Sequence, residues 1–124
     1  RQRQMCIRDR VSDVFRSCMF SPTRDRLIAE DHIACELEFM QYMANSELVA
    51  LRDDEHSAVR GTQEKELEFL ENHLLSWVES FRNAVEQFAE TDFYLGLLEM
   101  TQGWLELDAE YLRTQCASGE EDAQ

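Results

Sequence analysis

Two carboxylates and an imidazole stand in a row at Glu30, Asp31 and His32, directly ahead of an apolar-periodic segment that begins at Ile33. These residue types at a helix start can do several things. The Asp31 carboxylate can accept the free backbone N–H groups of a first turn, which predicts it as the helix cap. Glu30 and Asp31 place negative charge at the positive end of the helix dipole. Two neighbouring carboxylates favour the charged form of His32. Such a cluster suits a hinge, a proton-sensitive switch or a docking point for a cation. The same residues also describe a plainly capped helix beside a solvated histidine, and spacing alone does not separate the two.

Other combinations are weaker. Di-iron bundles use Glu-x-x-His pairs on facing helices, and the nearest match here, Asp53-Asp54-Glu55-His56, falls in a predicted loop and has no second copy. His32 and Cys35 could form half a zinc site, but no complementary pair is evident. There is no nucleophile elbow and no glycine-rich phosphate loop. His73, among Leu70, Leu74 and Trp77, reads as a structural histidine. The expectation is therefore a non-enzyme with no catalytic residues, no metal site and no cofactor of its own.

Composition sets the frame for these residues. The chain has 124 residues, enough for one domain, and 44% are apolar, enough for a core. One proline and four glycines leave few breakers, which favours long helices over a turn-rich sheet. The fold class predicted is all-α, a helical bundle. No run approaches the roughly 18 apolar residues of a membrane span, so stable membrane insertion is not expected. The formal net charge is −14. The first ten residues carry +3, four arginines against Asp9, which leaves −17 on the rest. A surface this acidic repels phosphate backbones and attracts basic peptides, so nucleic acid is excluded as a partner. Cys6, Cys18, Cys35 and Cys116 are widely spread, with no Cys-x-x-Cys, and read as reduced thiols; Cys35 reads as a small buried residue.

Along the chain, residues 1–10 have reversed charge and no apolar period, and are expected to be a non-native artefact, such as a translated sequencing-adapter scar. Residues 11–116 then form the helical domain, and 117–124 an acidic flexible tail. Val11, Val14, Phe15, Cys18 and Met19 predict a helix over 11–20, stopped by Ser21-Pro22-Thr23. The next helix should run from Asp31 to Arg52, with Ile33, Leu37, Met40, Ala44, Leu48 and Leu51 on one face and Phe39, Tyr42 and Met43 widening the apolar arc, which suggests burial against two neighbours. Residues 53–61 read as a loop, after which Thr62 caps a helix with Leu67, Leu70 and Leu74 inward. A break is expected near Leu75-Ser76-Trp77, with Ser76 as the available cap, and then a face of Trp77, Phe81, Ala84, Val85 and Phe88. The last helix, over 92–114 behind a Thr91 cap, should bury Tyr94, Leu97, Leu98, Thr101, Trp104, Leu105 and Leu112. Gly103 within it suggests close packing against a neighbour.

Three blocks carry a family likeness: Asp31-His32-Ile33 with Glu36-Leu37-Glu38-Phe39-Met40; Phe69-Leu70-Glu71-Asn72-His73-Leu74-Leu75-Ser76-Trp77 with Phe81; and Thr91-Asp92-Phe93-Tyr94. In this order they resemble the TorD/DmsD/NarJ family of maturation chaperones for molybdenum-containing redox enzymes. The family motif reads Glu-Pro-x-Asp-His before a helix of the type Glu-Leu-x-Phe-Met. The likeness extends over about residues 14–112. The chain departs in lacking the proline before the Asp-His pair, and counterparts of the family's N-terminal helices are missing, so it reads as a C-terminal fragment of the TorD-like domain. The resemblance implies a cytoplasmic chaperone that binds the twin-arginine leader or the apo-enzyme before insertion of the molybdopterin cofactor and export. It implies as partners an apo-molybdoenzyme subunit and its leader peptide. Glu30, Asp31 and His32 are then the signal-peptide or hinge cluster. The alternative is a helical assembly or interaction module without signal-peptide binding. The client enzyme and the oligomeric state are left open.

Overall fold

The computed structural model describes residues 2–22 and 32–122, with side chains over 9–22 and 32–119. All elements among the described residues are helical: α1 (Gln2–Ser17), α2 (Ile33–Arg52), α3 (His56–Phe69), a π-helical segment (Leu70–Leu74), α4 (Leu75–Phe88) and α5 (Asp92–Asp122). The expected all-α class is what the chain adopts. It divides into two compact units, Arg1–Thr62 and Gln63–Gln124.

In the first unit, α1 begins earlier than its apolar period and runs through residue 10 without a break. It stops at Ser17, ahead of Pro22, by a backbone device. Met19 adopts a left-handed conformation at φ 55°. Its N–H donates to Arg16 C=O at 3.1 Å, and the Phe20 N–H donates to Phe15 C=O at 2.8 Å. This is the Schellman pattern, in which the chain turns back to satisfy the last carbonyls. The accompanying apolar contact is present as well, since the Phe15 and Phe20 rings meet edge-on at 5.0 Å. Phe20 then lies 5.5 Å from Phe39 and 5.1 Å from Tyr42 on α2, and Phe15 lies 5.1 Å from Phe39. The Tyr42 hydroxyl donates to Cys18 C=O at 3.1 Å, fastening α2 to the end of α1. Phe15 and Phe39 are fully buried, and each such ring contributes about 2 kcal/mol relative to exposure.

The buried side of α2 is Cys35, Glu36, Phe39, Met40, Met43 and Ala50. This corrects the face expected from steps of four and three: Ala44, Leu48 and Leu51 are exposed. An arc this wide offers two overlapping stripes, and the aromatic contacts of Phe39 decide between them. α2 ends by the same device as α1. Asp54 is left-handed at φ 58°, Asp54 N–H donates to Leu51 C=O at 3.2 Å, and Glu55 N–H donates to Ala50 C=O at 2.9 Å. α3 starts at once, with the Val59 N–H donating to Glu55 C=O at 3.0 Å. The expected loop over 53–61 is therefore mostly helix. Thr62 is no cap; its hydroxyl donates back to Ala58 C=O at 2.8 Å. A polar helix needs no apolar period, only the absence of breakers, which is why periodicity overlooked this one.

In the second unit the expected break near Ser76 is a π segment five residues earlier. The Leu75 N–H donates to Leu70 C=O, five residues back. Ser76 caps nothing; its hydroxyl donates to His73 C=O at 2.6 Å. An α-helix slips by about 40° over each four-residue step, and the residue added by the π turn offsets that slip. Leu70, Leu74 and Val78, spaced by four, are all buried.

Residues 89–91 join α4 to α5, a link of the length found in antiparallel helical hairpins. Two ion pairs show the register: Arg82 Nη1 to Glu99 Oε1 at 3.2 Å, and Arg113 Nε to Glu71 Oε1 at 2.8 Å. Both are solvent-facing and modest in energy. On α5 the buried residues are Leu105, Ala109 and Leu112, whereas Tyr94, Leu97 and Trp104, expected inside, are exposed. Phe81 and Phe88 on α4 are exposed too. A Cβ placed on Gly103 would meet nothing within 4 Å, so no close packing among the described residues accounts for that glycine. α5 continues to Asp122, through the start of the expected tail.

Candidate functional site

The cluster singled out by its chemistry is only partly placed. Glu30 and Asp31 lie outside the described residues. His32 is exposed and extended, at φ −68° and ψ 142°, and it rather than Asp31 is the N-cap of α2. Its Nδ1 accepts from the Ala34 N–H at 3.1 Å. Its C=O accepts from Cys35 N–H at 2.9 Å and from Glu36 N–H at 3.1 Å. A nitrogen that accepts carries no proton, so this cap requires Nδ1 unprotonated. Charging the ring converts the acceptor into a donor and sets a cation against the positive end of the helix.

One turn further in, Glu36 is buried. A carboxylate in the first turn faces the dipole's positive end, which offsets part of the cost of its burial. Sequence reasoning treated Glu36 as a motif letter only. Its spacing of four to Met40 and seven to Met43 places it on the buried stripe, a signal that was available. Gln63 and Glu66 are likewise buried polar residues that went unremarked.

Beside the α1–α2 corner lies an open hollow of about 520 Å³, lined by Met19, Phe20, Glu38 and Tyr42 among others. An apolar floor with a carboxylate at its wall can accept an apolar chain next to a cationic group. Glu38 is six residues from His32, about 9 Å along the helix axis.

The second block places His73 in the π segment, with its ring 4.9 Å from Phe69. Trp77 meets Phe81 edge-on at 5.5 Å. π turns are rare and concentrate at functional positions. His56, from the weak di-iron match, starts α3 and pairs with Asp54 at 2.9 Å, both exposed. Among the described residues no group of three or more His, Cys, Asp or Glu is placed to hold a metal ion. Among the described residues Cys18, Cys35 and Cys116 are in no disulfide, and Cys35 is buried as expected. No helix among the described residues is long and apolar enough to cross a membrane.

The capped α2, its Glu-Leu-Glu-Phe-Met run and the π segment all fall within a match to the nitrate reductase delta subunit family, which covers residues 1–83. The chain belongs to the TorD/NarJ family. Among its curated relatives, TorD family members named "Chaperone protein TorD" recur. The one from Vibrio parahaemolyticus serotype O3:K6 is 33% identical over 84 residues, 66% of this chain and 37% of the relative. The one from Shewanella piezotolerans is 29% identical over 63 residues, 51% of this chain and 29% of the relative. The one from Colwellia psychrerythraea is 30% identical over 57 residues, 46% of this chain and 24% of the relative. The chain thus spans about a third of the length of these relatives, or less. No solved structure matches it. The family match begins at residue 1 and ends within α4, so α5 lies beyond it.

Proposed function

We propose that this TorD/NarJ member acts as a non-enzymatic, cytoplasmic chaperone in the maturation of a molybdopterin-containing oxidoreductase. In this reading it binds the twin-arginine leader or the apo-enzyme before cofactor insertion and export. The observation that carries it is the family match over residues 1–83, within which the similar proteins are named chaperones. The local chemistry supports it. A leader offers paired guanidinium groups followed by an apolar stretch. Carboxylates bind guanidinium by charge-assisted, often bidentate bonds. Glu30 and Asp31 would supply them beside His32, whose cap fixes where the chain enters α2. The hollow at the α1–α2 corner would take apolar residues next to the arginines, and the net charge of −14 would steer the leader in.

The test is calorimetric titration of this chain with a twin-arginine leader peptide, alongside the double variant Asp31→Asn/His32→Ala. The expected result is a loss of leader affinity of tenfold or more at a temperature where the variant is fully folded. Unchanged affinity together with lowered stability would leave His32 as a cap only and remove the docking role. The second reading, a helical assembly module without leader binding, is favoured by the exposed apolar residues of α4 and α5. It predicts retention by the folded enzyme subunit and none by the leader.

A further inference from the structure

We draw no further inference here: the strongest candidate, the exposed apolar face of α5 with the hollow it shares with α4, carries nothing, because nothing in the structure shows what covers it in a chain that spans about a third of its relatives' length, or less.

Discussion

The α1–α2 corner and the α4–α5 hairpin draw on the same kinds of residue and use them in opposite ways. At the corner, Phe15, Phe20, Phe39 and Tyr42 turn their rings toward one another within 5.0–5.5 Å. On the hairpin, Phe88, Phe93 and Trp104 face solvent, at 82%, 71% and 72% exposure. The corner closes because Met19 folds the chain back and delivers Phe20 onto Phe15 and Phe39. Among the described residues α4 and the π segment cover one apolar stripe of α5, and the other remains exposed. Aromatic content reports how much surface wants covering; the turn geometry decides whether this chain covers it.

The largest expected effect separates the two regions directly. Phe39→Ala should cost about 3–5 kcal/mol, the usual range for removing a buried aromatic ring. Trp104→Ala, on the exposed stripe of α5, should stay within about 0.5 kcal/mol. Urea unfolding of both variants checks this, and similar losses would mean that this stripe is packed in solution. Next come the junctions of the corner. His32→Ala should lose about 1 kcal/mol, while His32→Asn, which keeps an acceptor at the cap, should lose less than half of that. Met19→Gly should gain about 1 kcal/mol, since a left-handed methionine is strained, a glycine is not, and the side chain is 90% exposed. A loss there would show that the methionine thioether packs against something.

Gly103→Ala should raise the melting temperature by an amount matching about 0.8 kcal/mol, the glycine-to-alanine difference in a helix interior. The smallest effect concerns the N-terminus. We propose that residues 1–10 are foreign to the domain, although the family match begins at residue 1. Deleting them should leave the thermal midpoint unchanged, even though α1 runs through them without a break. A drop worth more than about 1 kcal/mol would show that they pack.

Much of the architecture could be read from residue order. Scarce breakers announced helices, and the runs after His32 and Thr91 marked where α2 and α5 begin. The family blocks pointed to the right relatives. The failures share one physical source: periodicity detects contrast between faces. α3 begins in a polar stretch with no such contrast. α5 has two apolar stripes, and the pattern of a single helix does not say which one its neighbour covers. The π segment breaks the period itself, so it registered only as an irregularity, five residues out of place. At the candidate site the start of α2 was legible at Asp31-His32, but the residue that caps it was not. Aspartate is the commoner cap, and only the ψ of 142° at His32 and its 3.1 Å bond to Ala34 assign that task to the imidazole.

The π segment also bears on how this helix tolerates change. A single inserted residue normally turns everything after it by about 100° around the axis, which would swing a packed face into water. Between Leu70 and Leu74 such a residue is held as a local bulge, and Val78, beyond it, is still buried. Removing one residue there should relax the bulge to ordinary α geometry at little cost, whereas removing one from the middle of α2 should re-phase its buried stripe and unfold it. Length variation between relatives is therefore to be sought inside this helix, a place where gaps are otherwise forbidden.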